Sequence, residues 1–348
     1  MERKLIKIKY VCLDQHNANN FILDAHDNII TNIIKKHFKI EFSDNPDYLI
    51  YSDYGYPSKI FKYDCVRIHW QQEYVVPDFN VCDYAIGSNH MQFGDRYFRV
   101  LPYTYYLTED IIHKAKNKIA FRKEDLIKKN KFCGFVHANP IAPERNKMEA
   151  LLSQYKTVSS GGRYKNNIGY FVDNKREFFS ECKFALVFEN TYGYDSDRLV
   201  DAFASGTIPI YWGDPEITKE FNSKAFINVH EYGSFEQVVE RVKEIDNNDD
   251  LYLQMMGEPM FNNDFSLEQY YKNLEAFLVN IFKQDLTAAY RRNRTYRGYV
   301  AERIACSGAK VRTLRLICDS IVRHMCSILH LKKLYAHLHR KLVFYGKF

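Results

Sequence analysis

The sequence predicts an α/β protein of two domains, each built on a parallel sheet. Three observations support this fold class. The chain has 348 residues, more than most single domains contain. Short apolar runs alternate with segments of helical spacing along most of its length, which is typical of βαβ units. The clearest unit lies between Lys183 and Asp214, where a strand, a helix and a second strand follow one another.

The first strand of this central unit is Phe184 to Phe188, an apolar run that suits a strand buried on both faces. Apolar residues return at helical spacing from about Asp197 to Ser205, and Gly206 stands where a C-cap glycine belongs. The second strand is Ile208 to Trp212. The linker at 189–196 is polar and aromatic, and it leaves the carboxyl end of a strand, where open α/β sheets bind ligands.

The linker leads into a helix N-terminus, which favours anions because its first N–H groups are unpaired. Ser196 is placed to cap that helix, and Arg198 adds a positive charge in its first turn. The sequence therefore predicts a pocket for a nucleotide diphosphate.

Residues 4 to about 125 form a first Rossmann-like series of alternating strand and helix signals. Residues 114–129 are polar and basic, and they suit a crossing between domains. The strands predicted in this series are Leu5–Leu13, Tyr48–Tyr51, Val66–Trp70 and Asp83–Ile86, and the helix is Ile29–Phe38.

The second series begins at Phe132 and contains the central βαβ unit. Ser234 and Gln237 form the signature of a capping box at the start of one of its helices. The other elements predicted are strands at Phe132–His137 and Ala225–Val229, a turn at 159–162, and helices near Glu144–Gln154, Asn174–Cys182 and Ser266–Phe282.

The charge is unevenly distributed. From Arg291 to the end the chain carries 14 Lys and Arg against 2 Asp and Glu, a balance of +12, whereas the rest balances to −6. From Leu314 onwards apolar residues step by three or four, which indicates one face of a basic amphipathic helix. That apolar face comprises Leu314, Ile317, Ile321, Met325, Ile328, Leu331, Tyr335, Leu338 and Leu342, and its neighbours are Arg312, Arg315, Arg323, Lys332, Lys333, Arg340 and Lys341.

Several functional classes are disfavoured. No apolar stretch approaches the ~18 residues of a membrane span, and the N-terminus alternates as a strand does, unlike a signal peptide. The 8 cysteines have no metal-ligand spacing and suit reduced thiols in a cytosol.

The motifs resemble those of the family 10 glycosyltransferases, in particular the bacterial α-1,3-fucosyltransferases of Lewis-antigen type. The family pattern is F-E-N, a short aromatic linker, T-E-K, a helix and G/H-T-I-P-I-Y-W-G. Phe188-Glu189-Asn190, Tyr194 and 206–213 match it, whereas Ser196-Asp197-Arg198 replaces T-E-K. Arginine in place of lysine keeps the charge and adds a planar fork that suits phosphate.

The resemblance implies the GT-B architecture, with two facing Rossmann-like domains and a cleft between them. We expect an acceptor domain at 1–125, a GDP-fucose domain at 126–285 and a membrane-associating tail at 286–348. The implied reaction is inverting transfer of L-fucose from GDP-β-L-fucose to a GlcNAc-containing glycan, with an α-1,3 linkage, in lipopolysaccharide O-antigen or Lewis-type glycan synthesis.

The resemblance also implies the donor-site residues. Arg145 and Arg198 are expected to clamp the diphosphate; Arg145 lies in the family's S-N-P-x-A-P-x-R-N segment, which is His137–Asn146 here. Asp197 is expected at the ribose and Tyr194 at a phosphate. The remaining residues expected at the donor are Asn190 at the ribose or sugar, Glu189 at the fucose, and Gly161 and Gly162 in a possible donor loop, although a plain turn explains this glycine pair equally well.

The catalytic base implied by the resemblance is Glu73. The family carries G-E-N-x-x-P-x-F-N followed by D-Y-A-I-G, and Glu73 stands four residues before Pro77, as that pattern requires. Gln72 and Tyr74 replace the flanking Gly and Asn.

Two alternatives remain open. Asp195-Ser196-Asp197 is a D-x-D triplet, which in metal-dependent GT-A enzymes holds a divalent cation on another sugar nucleotide. Alternatively, the basic tail belongs to a non-enzymatic protein that binds nucleic acid or membranes. The tail has no nucleic-acid-binding signature, so no nucleic-acid partner is expected.

The expected partners are GDP-fucose, a glycan acceptor on a lipid carrier, and an anionic membrane reached through the tail, with a homodimer as a further possibility. We expect no required cofactor and no metal. The expected location is the cytoplasm, peripheral on the inner face of the membrane.

Overall fold

The computed structural model describes residues 3–13, 24–117 and 121–343, and these form two compact units. One unit contains the described residues up to Val100 together with those from Tyr270 onwards, and the other is Leu101–Gln269. The described residues of 101–125 group with the second unit and those of the tail with the first, and the expected division into functional domains at 125 and 285 stays a prediction.

The first unit is built on a six-stranded parallel sheet in the order β2-β1-β3-β4-β5-β6. β3 and β4 are buried along their whole length, and β4 buries Arg67 and His69 among its apolar residues. Its strands are β1 Leu5–Val11, β2 Lys39–Phe42, β3 Tyr48–Tyr51, β4 Val66–Trp70, β5 Tyr84–Gly87 and β6 Tyr97–Arg99, and α1 Ile29–His37 lies between β1 and β2.

The helix α9, Leu267–Lys283, packs on this first sheet through aromatic rings. Phe282 meets Tyr48 in a T-shaped contact at 4.7 Å between ring centroids, and the Phe277 ring lies 5.5 Å from that of Phe98. The short helix α10, Leu286–Ala289, follows it. The β-sheet of the first unit is therefore covered by a helix that begins more than 150 residues after the last strand of that sheet.

The second unit is built on a five-stranded parallel sheet in the order β11-β10-β9-β7-β8. Its strands are β7 Lys131–Phe135, β8 Val158–Ser160, β9 Cys182–Phe188, β10 Ile208–Trp212 and β11 Ile227–Asn228. Its helices are α2 Tyr103–Tyr106, α3 Glu109–Lys116, α4 Pro143–Tyr155, α5 Lys175–Ser180, α6 Arg198–Ala204, α7 Phe235–Asp246 and α8 Asp249–Gly257.

The central βαβ unit is confirmed. β9 and β10 pair in parallel, with Phe184 opposite Ile208, and α6 lies between them in sequence. Gly206 closes α6 with a φ of +63°, a left-handed conformation that glycine adopts without strain. Ser234 caps α7 by accepting a hydrogen bond from the backbone N–H of Gln237, as predicted.

Some element predictions were wrong. The predicted turn at 159–162 begins inside β8, and Cys182, expected at a helix end, opens β9. Ala225 ends a 3-10 helix, so only Ile227–Asn228 of that predicted strand pairs with β10. The edge strands β2 and β6 were missed because they are short, and β2 lacks the buried residues that mark an internal strand.

The tail does not form one continuous amphipathic helix. It forms two helices, α11 Tyr296–Ile328 and α12 Lys332–Val343, separated at His330, whose φ is +54°. α12 folds back on α11, where Asp319 accepts a hydrogen bond from the Tyr335 hydroxyl at 3.3 Å. The side chains of four residues in the predicted tail pattern lie outside the part that the structure describes: Lys332, Arg340, Lys341 and Leu342.

The start of the tail is joined to the first unit by buried charges. Asp83 accepts hydrogen bonds from the backbone N–H groups of Arg291 and Arg292, and its carboxylate pairs with the Arg292 guanidinium at 3.0 Å. Glu302 pairs with Arg67. Part of the tail's positive charge is therefore paired with carboxylates of the first unit. Among the described residues, no helix is long and apolar enough to cross a membrane.

Candidate active site

The carboxyl end of β9 carries a buried ion pair. Glu189 is fully buried; its Oε2 pairs with Arg198 Nη1, and its Oε1 accepts a hydrogen bond from the Ser196 hydroxyl at 2.7 Å. Burial raises the pKa of the Glu189 carboxyl, and Arg198 and Ser196 oppose that rise. The Arg198 side chain is 26% exposed, so Glu189 fixes one side of a guanidinium that still reaches solvent.

Ser196 was predicted as the cap of α6, but the N-cap residue is Asp197 and its side chain makes no capping bond. The Ser196 hydroxyl donates to Glu189 and only weakly accepts from the Arg198 N–H, at 3.4 Å. The hydroxyl therefore supports the carboxylate that holds Arg198, rather than the end of the helix.

Arg145 lies in the first turn of α4 and is 1% exposed. Its Nη1 donates to Asn190 Oδ1 at 3.0 Å, and its Nη2 donates to the Asn139 carbonyl at 2.6 Å. Both acceptors are neutral, and Arg145 Nε has no hydrogen-bond partner within the described part of the chain. Burial and the nearby Arg198 lower the pKa of Arg145 to about 10. A buried cation of this kind favours an anionic ligand.

His137 belongs to the same electrostatic cluster, and the sequence reasoning missed it as a site residue. Its Nε2 bonds the Leu186 carbonyl at 3.3 Å. Burial lowers the pKa of His137 well below its ordinary value, and Arg145 and Arg198 lower it further. The one available signal was its position at the end of a predicted strand, in the segment that leads to Arg145.

The other predicted donor residues follow β9. Asn190 is exposed apart from its bond to Arg145, and Asp197 is half-buried at the start of α6. The Tyr194 side chain is half-buried, and its carbonyl accepts from the Tyr211 hydroxyl at 3.3 Å. All the predicted donor residues except the glycine pair therefore lie on β9, α4, α6 or the linker after β9.

Gly161 and Gly162 are required by close packing. A Cβ on Gly162 would lie 2.2 Å from the His137 carbonyl oxygen, and one on Gly161 would lie 2.4 Å from a Val172 methyl. Gly162 thus lets this loop lie directly on the backbone at the end of β7. The structure gives the glycines a packing role beside the arginine cluster, and their contact with a donor stays a prediction.

Glu73 lies in the first unit, three residues after β4. It is exposed, and its Oε1 accepts a hydrogen bond from the Tyr54 hydroxyl at 2.9 Å. Its backbone N–H donates to Asp53 Oδ2 at 3.1 Å. An exposed carboxylate on a fixed segment after a parallel strand has the chemistry that a general base requires.

Within the described ranges, no group of three or more His, Cys, Asp or Glu residues is placed to hold a metal ion. Of the D-x-D triplet, Asp195 is 3% exposed and Ser196 is bonded to Glu189.

Two family models match the chain. The model described as the α-(1,3)-fucosyltransferase FucT N-terminal domain matches residues 17–106, and glycosyltransferase family 10 (fucosyltransferase), C-terminal part, matches residues 126–277. Together they cover more than two thirds of the sequence. The chain belongs to glycosyltransferase family 10. The predicted resemblance is thereby confirmed, and the β9–α6 cluster falls within the second of the two matched regions.

Family 10 relatives extend the comparison. The α-(1,3)-fucosyltransferase FucT of Helicobacter pylori is 32% identical over 305 residues, which are 76% of this chain and 64% of the relative. The human 4-galactosyl-N-acetylglucosaminide 3-α-L-fucosyltransferase 9 is 33% identical over 96 residues, which are 26% of this chain and 27% of the relative. The chain therefore spans less than two thirds of the length of these relatives.

Solved structures of α1,3-fucosyltransferase share the fold. A structure with GDP has a TM-score of 0.68 at 28% identity, covering 84% of this chain and 93% of that one. A structure with GDP-fucose has a TM-score of 0.64 at 26% identity, covering 80% and 91%. These matches confirm the predicted class of two parallel-sheet α/β domains.

Proposed function

We propose that this chain is an inverting fucosyltransferase that moves L-fucose from GDP-β-L-fucose to a hydroxyl of a GlcNAc-containing glycan, forming an α-1,3 linkage. The observation that carries the proposal is the buried Arg145 guanidinium, whose described hydrogen bonds go only to neutral oxygens. It lies close enough to Arg198 for the two charges to interact. Two adjacent arginines suit a diphosphate, and related structures are described with GDP and GDP-fucose.

In the proposed reaction, Glu73 takes the proton from the acceptor hydroxyl as that oxygen attacks the anomeric carbon of fucose. The bond from that carbon to the diphosphate oxygen breaks, and the electron pair leaves with GDP. Arg145 and Arg198 then stabilise the charge that develops on the diphosphate. Attack from the face opposite the leaving group inverts the anomeric centre.

The acceptor is proposed from the names of the relatives. The human relative is named for a 4-galactosyl-N-acetylglucosaminide acceptor, and we propose the same disaccharide class for this chain. A lipid-linked glycan of lipopolysaccharide O-antigen or Lewis type is the acceptor we propose in the cell.

The test is a transfer assay with GDP-fucose and a tagged 4-galactosyl-N-acetylglucosaminide, with the product linkage assigned by NMR. We expect a fucosylated product with an α-1,3 linkage, formed equally well in EDTA because the arginines supply the counter-charge for the diphosphate. Loss of transfer in EDTA with recovery in manganese would favour the D-x-D alternative. Calorimetry that detects neither GDP nor GDP-fucose would favour the non-enzymatic alternative.

We also propose that the tail associates peripherally with an anionic membrane surface at the cytoplasmic face. Supporting this, α11 exposes an apolar stripe flanked by Arg303, Lys310, Arg312 and Arg315. A homodimer through the stripe is less favourable, because two copies would bring these like charges together. The stripe comprises Ile304, Val311, Leu314, Ile321, Met325 and Ile328, with exposed fractions between 49% and 68%.

A further inference from the structure

The segment that carries Glu73 is held by the neighbouring strand's loop. β3 and β4 are adjacent parallel strands, so the residues after their carboxyl ends lie at one edge of the sheet. Asp53 follows β3 by two residues and Glu73 follows β4 by three. Parallel pairing therefore places a second carboxylate beside the backbone of the proposed base.

Asp53 accepts three hydrogen bonds in this arrangement. Its Oδ2 accepts from the backbone N–H of Gln72 at 2.8 Å and from that of Glu73 at 3.1 Å. Its Oδ1 lies 2.8 Å from His69 Nε2. The Asp53 side chain is only 11% exposed, so the carboxylate is occupied by these donors and is not presented to a substrate.

His69 holds the Asp53 carboxylate by a hydrogen bond. It lies on β4, is 4% exposed, and stacks on the Tyr51 ring at 4.9 Å with an interplanar angle of 9°. A histidine fixed by stacking gives its carboxylate partner one orientation. On the other side of the segment, Gln71 Oε1 accepts the backbone N–H of Ser88 at 2.7 Å, so Gln71, Gln72 and Glu73 are each held by a hydrogen bond.

Tyr54, next to Asp53, completes the arrangement by acting on the side chain of the base. Its hydroxyl donates to Glu73 Oε1 at 2.9 Å. That bond restricts the rotation of the Glu73 carboxylate. A hydrogen bond to the charged form of a carboxylate also favours ionisation, which suits a group that must accept a proton.

We propose that Asp53 and Tyr54 are positioning residues for the transfer reaction: Asp53 fixes the backbone of Glu73, and Tyr54 orients its carboxylate. This inference rests on the proposed function and on Glu73 as base. It assigns both residues a role through Glu73 and no contact with the donor.

The test compares Asp53→Ala, Asp53→Asn and Tyr54→Phe with wild type and Glu73→Gln in the GDP-fucose transfer assay. Asp53→Ala is expected to lower kcat by about 10- to 100-fold, the cost of slight misplacement of a reacting group. The GDP dissociation constant should not change, because the arginine cluster is untouched. Asp53→Asn keeps an oxygen toward the two N–H groups and should recover much of the lost kcat.

Tyr54→Phe provides a second readout that a purely structural role would not move. With its hydrogen bond removed, the carboxylate takes up a proton more readily, so the acid limb of the kcat/KM profile should shift to higher pH. The titratable groups that hold Glu73 and its segment include Asp53, His69 and Tyr54. Tyr63→Phe, whose ring lies 5.7 Å from Lys9, is the matched control, and Asp44→Ala on the same unit is the control for Asp53→Ala.

The outcomes separate the two proposals. If Glu73→Gln abolishes transfer while Asp53→Ala and Tyr54→Phe retain wild-type kcat and pH profile, the positioning role is wrong and the proposed function stands. If wild type transfers no fucose, or Glu73→Gln remains active, the proposed base or function itself fails. If Asp53→Ala melts at lower temperature but its folded fraction keeps the wild-type kcat, Asp53 is structural only and the inference is overturned.

Discussion

At the scale of single residues, the role of each charged side chain in the site depends on the group with which it pairs. Glu189 was expected at the fucose, yet the structure buries it against Arg198 and Ser196. Its side chain therefore orients a cation in this structure. Asn190 similarly holds Arg145 through its amide oxygen. The motif shows which residues are charged. It does not show how those charges pair, because the pairing depends on the conformation of the linker, and apolar periodicity does not predict that conformation.

Glu73→Gln keeps the size of the side chain but removes its capacity to accept a proton. We expect transfer to fall by roughly 10² or more, the typical contribution of a general base. GDP affinity measured by calorimetry should remain at the wild-type value, since Glu73 has no role in the arginine cluster. Near-normal turnover of the variant would refute the assignment.

Arg145→Ala and Arg198→Ala each remove a charged hydrogen-bond partner of the proposed diphosphate. Each should weaken GDP binding by about 1.5–3 kcal/mol. Arg145→Ala also removes the guanidinium that donates to Asn190 Oδ1, and Arg198→Ala leaves the buried Glu189 without its cation. Thermal unfolding is therefore measured beside calorimetry, with Arg198→Lys and exposed Arg122→Ala as controls. Unaltered GDP affinity in folded Ala variants would exclude the clamp.

His137→Gln tests the electrostatic cluster through pH. Because burial and two arginines lower the pKa of His137, the native chain takes up its proton only well below pH 6.5. The unfolded chain takes it up near its ordinary value, so this histidine reduces the free energy of unfolding as pH falls below about 6.5.

Glutamine keeps a donor for the Leu186 carbonyl and does not titrate. Urea unfolding should therefore show a smaller loss of stability from pH 7.5 to 5.5 in His137→Gln than in wild type. His113→Gln, at an exposed position on α3, should behave like wild type. An equal loss of stability in all three proteins would contradict the inferred low pKa of His137 in the folded state.

At the scale of elements, the strands were predictable where burial is continuous and unpredictable at the edges. Tyr48–Tyr51, Val66–Trp70 and Ile208–Trp212 match the structure residue for residue. The tail was not predictable in the same way. Its apolar residues keep a spacing of three or four across His330, although the helix breaks there. Apolar spacing reports which residues share a face, but it does not report that a helix has folded back on itself.

Asp319 links the two helices of the fold-back by hydrogen bonds. It is 7% exposed on α11, accepts from Tyr335 and bonds His339 Nδ1 at 2.8 Å across the two helices. Asp319→Ala should loosen α12, because Tyr335 and His339 both lose their hydrogen-bond partner on α11. Hydrogen exchange should then accelerate in 332–343 and remain unchanged in 101–269, whereas Glu240→Ala, at an exposed position on α7, should alter neither. Slow exchange retained in α12 would show that apolar contacts alone hold the helices together.

At the scale of the whole molecule, the chain is two parallel-sheet units, and the tail is part of the first. That grouping was not predictable, because the sequence shows a basic, separately patterned segment after residue 290. The structure shows that Arg292 pairs with Asp83 at 3.0 Å, with both side chains almost completely buried. Removing one partner of a buried pair costs about 3–5 kcal/mol. Truncation after Tyr290 would therefore damage the first unit and cannot test the tail alone.

The proposed membrane role is better tested on the exposed stripe of α11. Replacing Ile321, Met325 and Ile328 with Gln removes apolar surface that is already in contact with water, so the fold should persist. Each Lys or Arg near an anionic surface contributes about 1 kcal/mol, and the apolar stripe adds insertion into the interface. Wild type should therefore sediment with phosphatidylserine vesicles at low salt and be partly released at high salt, whereas the triple variant should bind weakly.

GDP affinity should be equal in wild type and the triple variant, because the stripe lies on the first unit and the arginine cluster on the second. A matched control replaces three charged residues of α7 with Gln: the exposed Glu236 and Glu240 and the half-buried Lys243. Wild type that ignores anionic vesicles would exclude the membrane role. A change from dimer to monomer in the triple variant, measured by light scattering without lipid, would instead assign the stripe to a second copy of the chain, despite the like charges that flank it.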